Sequence, residues 1–216
     1  MLGWTNPLVK HDGGVLDYDD EATHYDRTRG GGPRAEAAAA ALDGLIPSRS
    51  VVLDLAVGTG IVAAELEALG HRVVGVDLSV GMLRHAGRRL PGRVARADAT
   101  ALPLPSSSVD TVTAVWLLHL LDDAEPVLAE VARVLRPGGL FLTTADKIAA
   151  VRVASNTIRE DRPHTDTCAQ LTALGARHHL QLAAATSFIG HGQGQPGGTD
   201  PRYPVLGFRR AGDSAS

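Results

Sequence analysis

Residues 51–60, VVLDLAVGTG, constrain the fold of this chain more than any other stretch of its sequence. The β-branched, apolar run at 51–55 is typical of a strand buried on both faces, and the small residues after it indicate a tight turn. Apolar residues at helical spacing over 61–69, closed by a glycine at position 70, predict a helix. The run VVGVD at 73–77 then predicts a second strand that ends in an acid.

This unit of strand, loop, helix and strand is typical of α/β sheets that bind a nucleoside at the carboxyl ends of their strands. Gly58 and Gly60 lack the Cβ atoms that would obstruct a ligand, and Asp77 stands where a ribose can be held. The loop is not the G-x-G-x-x-G of dinucleotide sites, and it lacks the Gly-Lys-Ser/Thr of a phosphate loop. The alternative is a tight turn that needs glycine only for its backbone angles.

Residues 54–60, DLAVGTG, resemble the first motif of class I S-adenosylmethionine-dependent methyltransferases. Ala56 stands where that family most often has glycine, and the family's acid at Asp77 binds both ribose hydroxyls. The resemblance covers residues 25–208. Its other elements, in the family's order, are YDRTRG at 25–30, DLS with GML at 77–83, DA at 98–99 and RVLRPGG at 133–139.

The resemblance implies S-adenosyl-L-methionine as the cofactor and gives the matched residues roles. Tyr25 would lie near the methionine end, and Arg29 would pair with the carboxylate, which a guanidinium matches in a bidentate manner. Asp98 would accept a hydrogen bond from the adenine amino group. The predicted cofactor-binding residues are Tyr25, Arg29, Asp54, Ala56, Gly58, Gly60, Asp77, Leu78, Met82, Asp98, Ala99 and Trp116.

Trp116 and His119 follow a predicted strand at 109–115, whose C-terminal loop faces the ligand crevice of a doubly wound sheet. An indole face can favour the sulfonium cation by roughly 0.5 to 2 kcal/mol. The alternatives are a packed aromatic for Trp116 and a hydrogen-bonded structural histidine for His119. With Tyr25 and His191, the latter in a glycine-rich loop at 190–198, His119 forms our set of acid, base or orienting candidates. The alternative for that loop is a flexible hairpin.

The chain has 216 residues, enough for one well-buried core and too few for two ordinary domains. We therefore predict a single α/β domain. The resemblance implies a doubly wound, Rossmann-like, seven-stranded sheet, mostly parallel with an antiparallel last strand. We expect this domain over residues 33–211, with an N-terminal lid at 1–32, an insertion over the substrate side at 145–165 and a tail at 212–216.

Charge and cysteine content favour a small-molecule partner in a reducing compartment. A formal net charge of −3 gives no attraction to nucleic acid or to an anionic membrane. Cys168 is the only cysteine, which excludes an internal disulfide. No signal peptide or membrane span is expected in the first 30 residues, so we expect a cytoplasmic protein, without a metal site and of open oligomeric state.

The sequence thus predicts an enzyme that transfers a methyl group from S-adenosylmethionine to O, N or C of a small metabolite. The Asn/Asp-Pro-Pro-aromatic element used for exocyclic amines and the Pro-Cys element used for cytosine are absent. Two alternatives stay open. One is an enzyme of another reaction type on the same fold, such as a cyclase or decarboxylase, since fold does not fix function. The other is a non-methylating partner subunit in a biosynthetic complex.

Overall fold

The computed structural model describes residues 9–11, 14–16, 18–147, 149–151, 165–194 and 198–212. The strands are β1 Val9–His11, β2 Gly14–Leu16, β3 Val51–Leu55, β4 Arg72–Asp77, β5 Val94–Arg96, β6 Val109–Ala114, β7 Leu135–Thr144, β8 Leu180–Ile189 and β9 Arg202–Arg210. The helices are α1 Tyr18–Glu21, α2 Tyr25–Thr28, α3 Gly31–Asp43, α4 Ile61–Ala68, α5 Val80–Arg89, α6 Glu125–Val134 and α7 Cys168–Arg177. A 3-10 turn spans Leu118–Leu120.

Strands β3 to β9 form one mixed sheet in the order β5-β4-β3-β6-β7-β9-β8. The first five in this order pair in parallel, and β9 runs antiparallel to both β7 and β8. The prediction of a seven-stranded α/β sheet with an antiparallel last strand is confirmed. The strand order reverses between β3 and β6, and open α/β sheets bind ligands beyond the carboxyl ends of the strands at such a point.

Two apolar clusters flank the sheet, and β3 contributes to both. Val52 belongs to the cluster that contains Leu42 of α3 and Leu66 of α4, whereas Leu53 belongs to the cluster that contains Leu128 of α6. Successive strand residues point to opposite faces, so a strand covered on both sides must be apolar throughout. This is why residues 51–55 form an almost unbroken hydrophobic run.

The segment at 18–32, here called the cap, is attached to the sheet by two carboxylates. Asp19 Oδ1 in α1 accepts hydrogen bonds from the Ser79 hydroxyl at 2.5 Å and the Gly81 N–H at 2.6 Å. Asp26 in α2 accepts from the Thr59 hydroxyl at 2.6 Å and from Arg89 at 2.8 Å. The cap therefore contacts the loops that follow β3 and β4.

The N-terminal boundary of α6 differs from the prediction. Apolar residues at helical spacing over 127–134 predict a helix capped by Asp122 or Asp123, but that prediction is wrong, because the N-cap residue is Ala124. Asp123 instead accepts a hydrogen bond from the Glu125 N–H at 2.9 Å, just beyond the cap position. Pro126 lies in the first turn, where its missing N–H costs nothing.

The apolar run at 140–144 predicts a strand that begins at Leu140. In the structure this strand, β7, begins at Leu135. The pairing with β6 shifts in register there, with Val109 opposite Leu135 and Thr111 opposite Leu140. The intervening Pro-Gly-Gly is thus a bulge within the strand. Parts of the predicted lid (1–8, 12, 13 and 17), of the predicted insertion (148 and 152–164) and of the predicted tail (213–216) lie outside the described residues.

Candidate functional site

A cleft of about 530 Å³ lies beyond the carboxyl ends of β3, β4 and β6. Its walls come from the loop after β3, from the residues after β4, from residues 115–117 after β6, and from Tyr18, Tyr25 and Arg34 of the cap and α3. These segments meet because the carboxyl ends of parallel strands share one edge of the sheet. The volume is within the range of small-molecule and cofactor sites.

The loop after β3 turns sharply because three of its residues have positive φ angles, +53° at Ala56, +56° at Gly58 and +77° at Gly60. A Cβ at Gly60 would lie 3.0 Å from the Ala86 Cα, so this glycine lets α4 and α5 approach closely. Gly60 does not line the cleft. A Cβ at Gly58 would meet nothing closer than 3.9 Å, so this glycine satisfies the backbone angle while lining the cleft.

Asp77 holds two neighbouring loops in place. Its Oδ2 accepts a hydrogen bond from the Gly58 N–H at 2.8 Å, and its Oδ1 accepts one from the Ser79 N–H at 2.9 Å. Burial raises the pKa of this carboxyl above its ordinary value, and the backbone hydrogen bonds oppose the shift. A carboxylate offers about four lone-pair sites, so Asp77 can still accept from a sugar hydroxyl in the cleft that it lines.

Asp54 also lines the cleft and is only 4% exposed. It accepts a hydrogen bond from the Thr113 hydroxyl at 2.7 Å. Burial, with a smaller contribution from the charge of Asp77, raises the pKa of Asp54 to about 7. The cleft therefore has a carboxyl group that changes charge near neutral pH.

Leu78, Met82, Asp98 and Ala99, which the motif resemblance predicts to be cofactor-binding residues, all line the cleft. Asp98 Oδ1 accepts hydrogen bonds from the N–H and hydroxyl of Thr100, both at 2.8 Å. Sequence reasoning missed part of the lining. Residues after the 109–115 strand and in α6 also reach the cleft, namely Leu117, Leu120, Leu121, Asp122 and Val127.

Arg34 is the main residue that the sequence reasoning did not find. Its guanidinium carbon lies 4.0 Å from the ring centroid of Trp116 and 5.9 Å from that of Tyr25, and the residue is 3% exposed. Within the described ranges, neither Arg34 Nε nor Trp116 Nε1 has a hydrogen-bond partner. Two buried N–H donors without acceptors in one wall indicate an anionic or acceptor-rich ligand. The available signal was a lone arginine in an alanine-rich helix.

His119 and Lys147 form a close pair on the same edge of the sheet. The distance between His119 Nε2 and Lys147 Nζ is 2.8 Å. Burial lowers the pKa of Lys147 to about 7, and the charges of Arg29 and Arg34 act in the same direction, whereas Asp166 opposes them. Lys147 therefore exists partly as a neutral amine at neutral pH.

Besides Gly60, three predicted residues are not part of the cleft lining: Arg29, His119 and His191. The guanidinium carbon of Arg29 is 5.7 Å from the Tyr25 ring centroid, so Arg29 and Arg34 share that ring. His191 is about half exposed, with its Nδ1 3.7 Å from Asp200 Oδ2. Its carbonyl oxygen packs against Gly30, where a Cβ would lie 1.9 Å away.

Two further features concern only the part of the chain that the structure describes. No group of three or more His, Cys, Asp or Glu side chains there is arranged to hold a metal ion. No helix there combines the length and apolar character needed to cross a membrane.

Residues 53–143 match the family model described as a methyltransferase domain. The chain is 44% identical over 98 residues to the ubiquinone/menaquinone biosynthesis C-methyltransferase UbiE of Desulfotalea psychrophila, covering 43% of this chain and 40% of that protein. It is 37% identical over 128 residues to the demethylmenaquinone methyltransferase of Renibacterium salmoninarum, covering 56% of this chain and 54% of that protein. The chain thus spans about half the length of these relatives or less.

Similarity to solved structures extends over most of the chain and concerns its fold. The putative methyltransferase in complex with the Trm112 methyltransferase activator of Haloferax volcanii superposes with a TM-score of 0.72 at 19% identity, over 92% of this chain and all of that one. The matched residues begin in β3 and end in β7, and they include Asp77 and the cleft lining except Tyr18, Tyr25 and Arg34. Over residues 53–143 the chain is therefore similar to the methyltransferase domain family, and its fold is that of the Haloferax volcanii methyltransferase.

Proposed function

We propose that this protein transfers the methyl group of S-adenosyl-L-methionine to an oxygen, nitrogen or carbon atom of a small metabolite. The observation that supports this most is the cleft itself. It combines an open glycine turn, a carboxylate at the end of the second central strand, and two buried N–H donors that have no acceptor among the described residues.

The donor set fits this cofactor. Asp77 would accept hydrogen bonds from the ribose hydroxyls, and Met82 with Asp98 would contact the adenine. Arg34, Trp116 Nε1 and the neighbouring Arg29 would hold the carboxylate of the methionine moiety, because these are cationic or N–H groups beside Tyr25. Of the two arginines, Arg34 lines the cleft and is the more buried, so we assign it the larger part of carboxylate binding.

The bound cofactor supplies a methyl group that is already activated by its sulfonium. The protein then has to bind the acceptor in line with the methyl carbon, which can supply up to roughly 7 to 11 kcal/mol through proximity and orientation. Tyr18 and Tyr25 of the cap line the cleft and would exclude water from it. The roles of Tyr25, His119 and His191 as acid, base or orienting groups are part of this proposal.

A small acceptor in the cytoplasm agrees with the other properties of the chain. The formal net charge of −3 gives no electrostatic attraction to nucleic acid. A single cysteine suits a reducing compartment. The names of the curated relatives concern ubiquinone and menaquinone, so aromatic quinol-type rings are the first acceptors to screen.

The test is cofactor binding by isothermal titration. Asp77→Ala should weaken binding of S-adenosylmethionine by about 1.5 to 3 kcal/mol, roughly tenfold or more, since a charged hydrogen bond is lost. Asp77→Asn keeps an acceptor for the loop and should fall between this variant and the wild type. Glu36→Ala, which removes an exposed carboxylate from α3, is the matched control. An Asp77→Ala dissociation constant equal to that of the control would contradict the assignment.

Product analysis tests the reaction. Incubation with candidate acceptors should yield S-adenosylhomocysteine and an acceptor heavier by one methylene. Binding of the cofactor without S-adenosylhomocysteine would instead favour another reaction type on this fold. Failure of the wild type to bind S-adenosylmethionine would favour a partner subunit.

A further inference from the structure

We propose that Lys147 and His119 form a proton-accepting pair that serves a weakly acidic methyl acceptor, such as a phenol or an enol, next to the methionine end of the cleft. This inference rests on the proposed function, since it assigns a chemical class to the acceptor of the same site.

The pair is built by two neighbouring strands. Lys147 follows β7, and His119 lies in the 3-10 turn that follows β6. These strands are parallel neighbours, so the residues after them meet at the ligand edge of the sheet, with Lys147 Nζ 2.8 Å from His119 Nε2. Leu120, which follows His119 in the turn, and Leu117, which precedes the turn, line the cleft. The pair therefore adjoins the site.

The charges around Lys147 are mostly positive. Arg29 and Arg34 act on it from the cap and α3, and His119 contacts it from the turn after β6. The opposing charge is that of Asp166, whose Oδ2 accepts a hydrogen bond from the backbone N–H of Lys147 at 2.9 Å. Two guanidinium groups thus face one carboxylate.

This balance has two consequences for chemistry in the site. Burial and the arginines lower the pKa of Lys147 to about 7, which leaves a neutral amine available as a base at neutral pH. The same positive field stabilises an oxyanion placed beside it. A neutral acid that enters the site would therefore give up its proton there more readily than in water.

Methyl transfer to such an acceptor begins with removal of its proton. The acceptor O–H proton moves to Lys147 Nζ, and the resulting ammonium donates a hydrogen bond to His119 Nε2. The electron pair left on the acceptor, at oxygen or at the conjugated carbon, forms the bond to the methyl carbon. The pair of the broken carbon–sulfur bond stays on sulfur, and Lys147 later returns its proton to water.

A direct test uses the small number of lysines in this protein. Lys10 and Lys147 are the only two in the sequence, so a sample labelled with carbon-13 at lysine Cε gives two NMR signals. The signal that Lys147→Arg removes belongs to Lys147, and Lys10→Arg confirms the assignment. We expect the Lys147 signal to titrate near pH 7. Titration above about pH 9, close to the ordinary lysine range, would overturn the proposal without any acceptor being known.

The second test measures transfer to matched acceptors, 2-naphthol and 2-naphthylamine, which differ in whether a proton must be removed before attack. Lys147→Arg keeps a positive charge at every pH but cannot act as a base. We expect it to bind S-adenosylmethionine within twofold of the wild type and to methylate 2-naphthol at least about 100-fold more slowly, with the amine much less affected. An unchanged rate with 2-naphthol would overturn the proposal.

These outcomes separate this inference from the proposed function. A wild type that does not bind S-adenosylmethionine contradicts the proposed function, and the pair's role with it. Intact cofactor binding together with a Lys147 that titrates in the ordinary lysine range contradicts only the pair.

Discussion

Ala56 holds a backbone conformation that is costly for alanine. Its φ of +53° lies in the left-handed region, in the loop where Gly58 and Gly60 also have positive φ. For a residue with a Cβ this conformation costs roughly 1 to 2 kcal/mol, whereas glycine adopts it freely. The strain explains why a glycine suits this position in the family's motif.

Ala56→Gly should therefore keep or raise the free energy of unfolding, by up to about 1 kcal/mol, because the relief of strain exceeds the entropy gained by the unfolded chain. Urea unfolding measures it. Ala40→Gly, at an exposed position within α3, is the control and should lose about 1 kcal/mol. Equal losses in the two variants would show that Ala56 is not strained.

Asp54 gives a pH-dependent prediction. Its folded pKa of about 7 exceeds the unfolded value, so the folded state binds this proton more tightly, and stability falls as pH rises from about 4 to 7. Asp54→Asn keeps an acceptor for the Thr113 hydroxyl and removes the charge. We expect a gain on the order of 2 kcal/mol at pH 8 and little change at pH 4. Thermal unfolding at both pH values checks this, and equal gains would contradict it.

Among single residues, the sequence predicted the cleft-lining side chains at the carboxyl ends of the strands. It did not predict those that reach the cleft from a helix packed against it. Asp54, Asp77, Met82 and Asp98 line the cleft because each lies near the carboxyl end of a strand or in the first turn of the helix that follows one. Arg34 could not be recognised, because its role depends on how α3 packs against Trp116.

Among the elements, the cap is attached to the body of the protein through two carboxylates. Asp26 fastens α2 through the Thr59 hydroxyl and Arg89, and Asp19 fastens α1 to the start of α5. These bonds connect the cap to the two loops that would contact the cofactor. Cofactor binding and cap closure should therefore be coupled.

Asp26→Ala should loosen the cap. Because two hydrogen bonds of about 1 to 1.5 kcal/mol each are lost, we expect trypsin to cleave at Arg27 or Arg29 roughly tenfold faster, with weaker S-adenosylmethionine affinity. Asp20→Ala removes an exposed carboxylate from α1 and serves as the control. Cleavage of both variants at the same rate would mean that Asp26 does not hold the cap.

Element types were predicted better than element ends. The apolar patterns located α4, α6 and the central strands, and in the structure Ser79 caps α5 by accepting the Met82 N–H at 3.0 Å. The predicted starts of α6 and β7 were wrong, because local hydrogen bonding and strand pairing, rather than periodicity, determine where these elements begin.

For the whole molecule, the number of strands in the main sheet and the antiparallel direction of the last one were predicted from the motif resemblance, whereas the order of the strands was not predicted. The sequence could not predict the pKa shifts of buried groups, because these shifts depend on burial and on which charges the fold brings close together. Asp54 and Lys147, 93 positions apart by their numbers, both titrate near pH 7 on the same edge of the sheet.

These two groups predict a stability minimum near pH 7. Asp54 lowers the free energy of unfolding as pH rises from about 4 to 7. The folded pKa of Lys147 lies below its unfolded value, so its contribution is lost as pH falls toward 7 and returns as pH rises above it. Urea unfolding at pH 5, 7 and 8.5 should show the minimum. Lys147→Met should reduce the rise in the free energy of unfolding above pH 7. Asp54→Asn should reduce its fall between pH 5 and pH 7, and unchanged slopes in the two variants would contradict this prediction.

The carbonyl oxygen of His191 occupies the place that a side chain at Gly30 would need, and the Gly30 Cα lies 3.2 Å from where a Cβ on Gly192 would sit. The N-terminal cover and the connection between β8 and β9 are thus fitted together along a seam with no spare room. A side chain at either glycine would push the two segments apart. Replacing one of these glycines would therefore disturb the N-terminal segment and the β8–β9 connection at once.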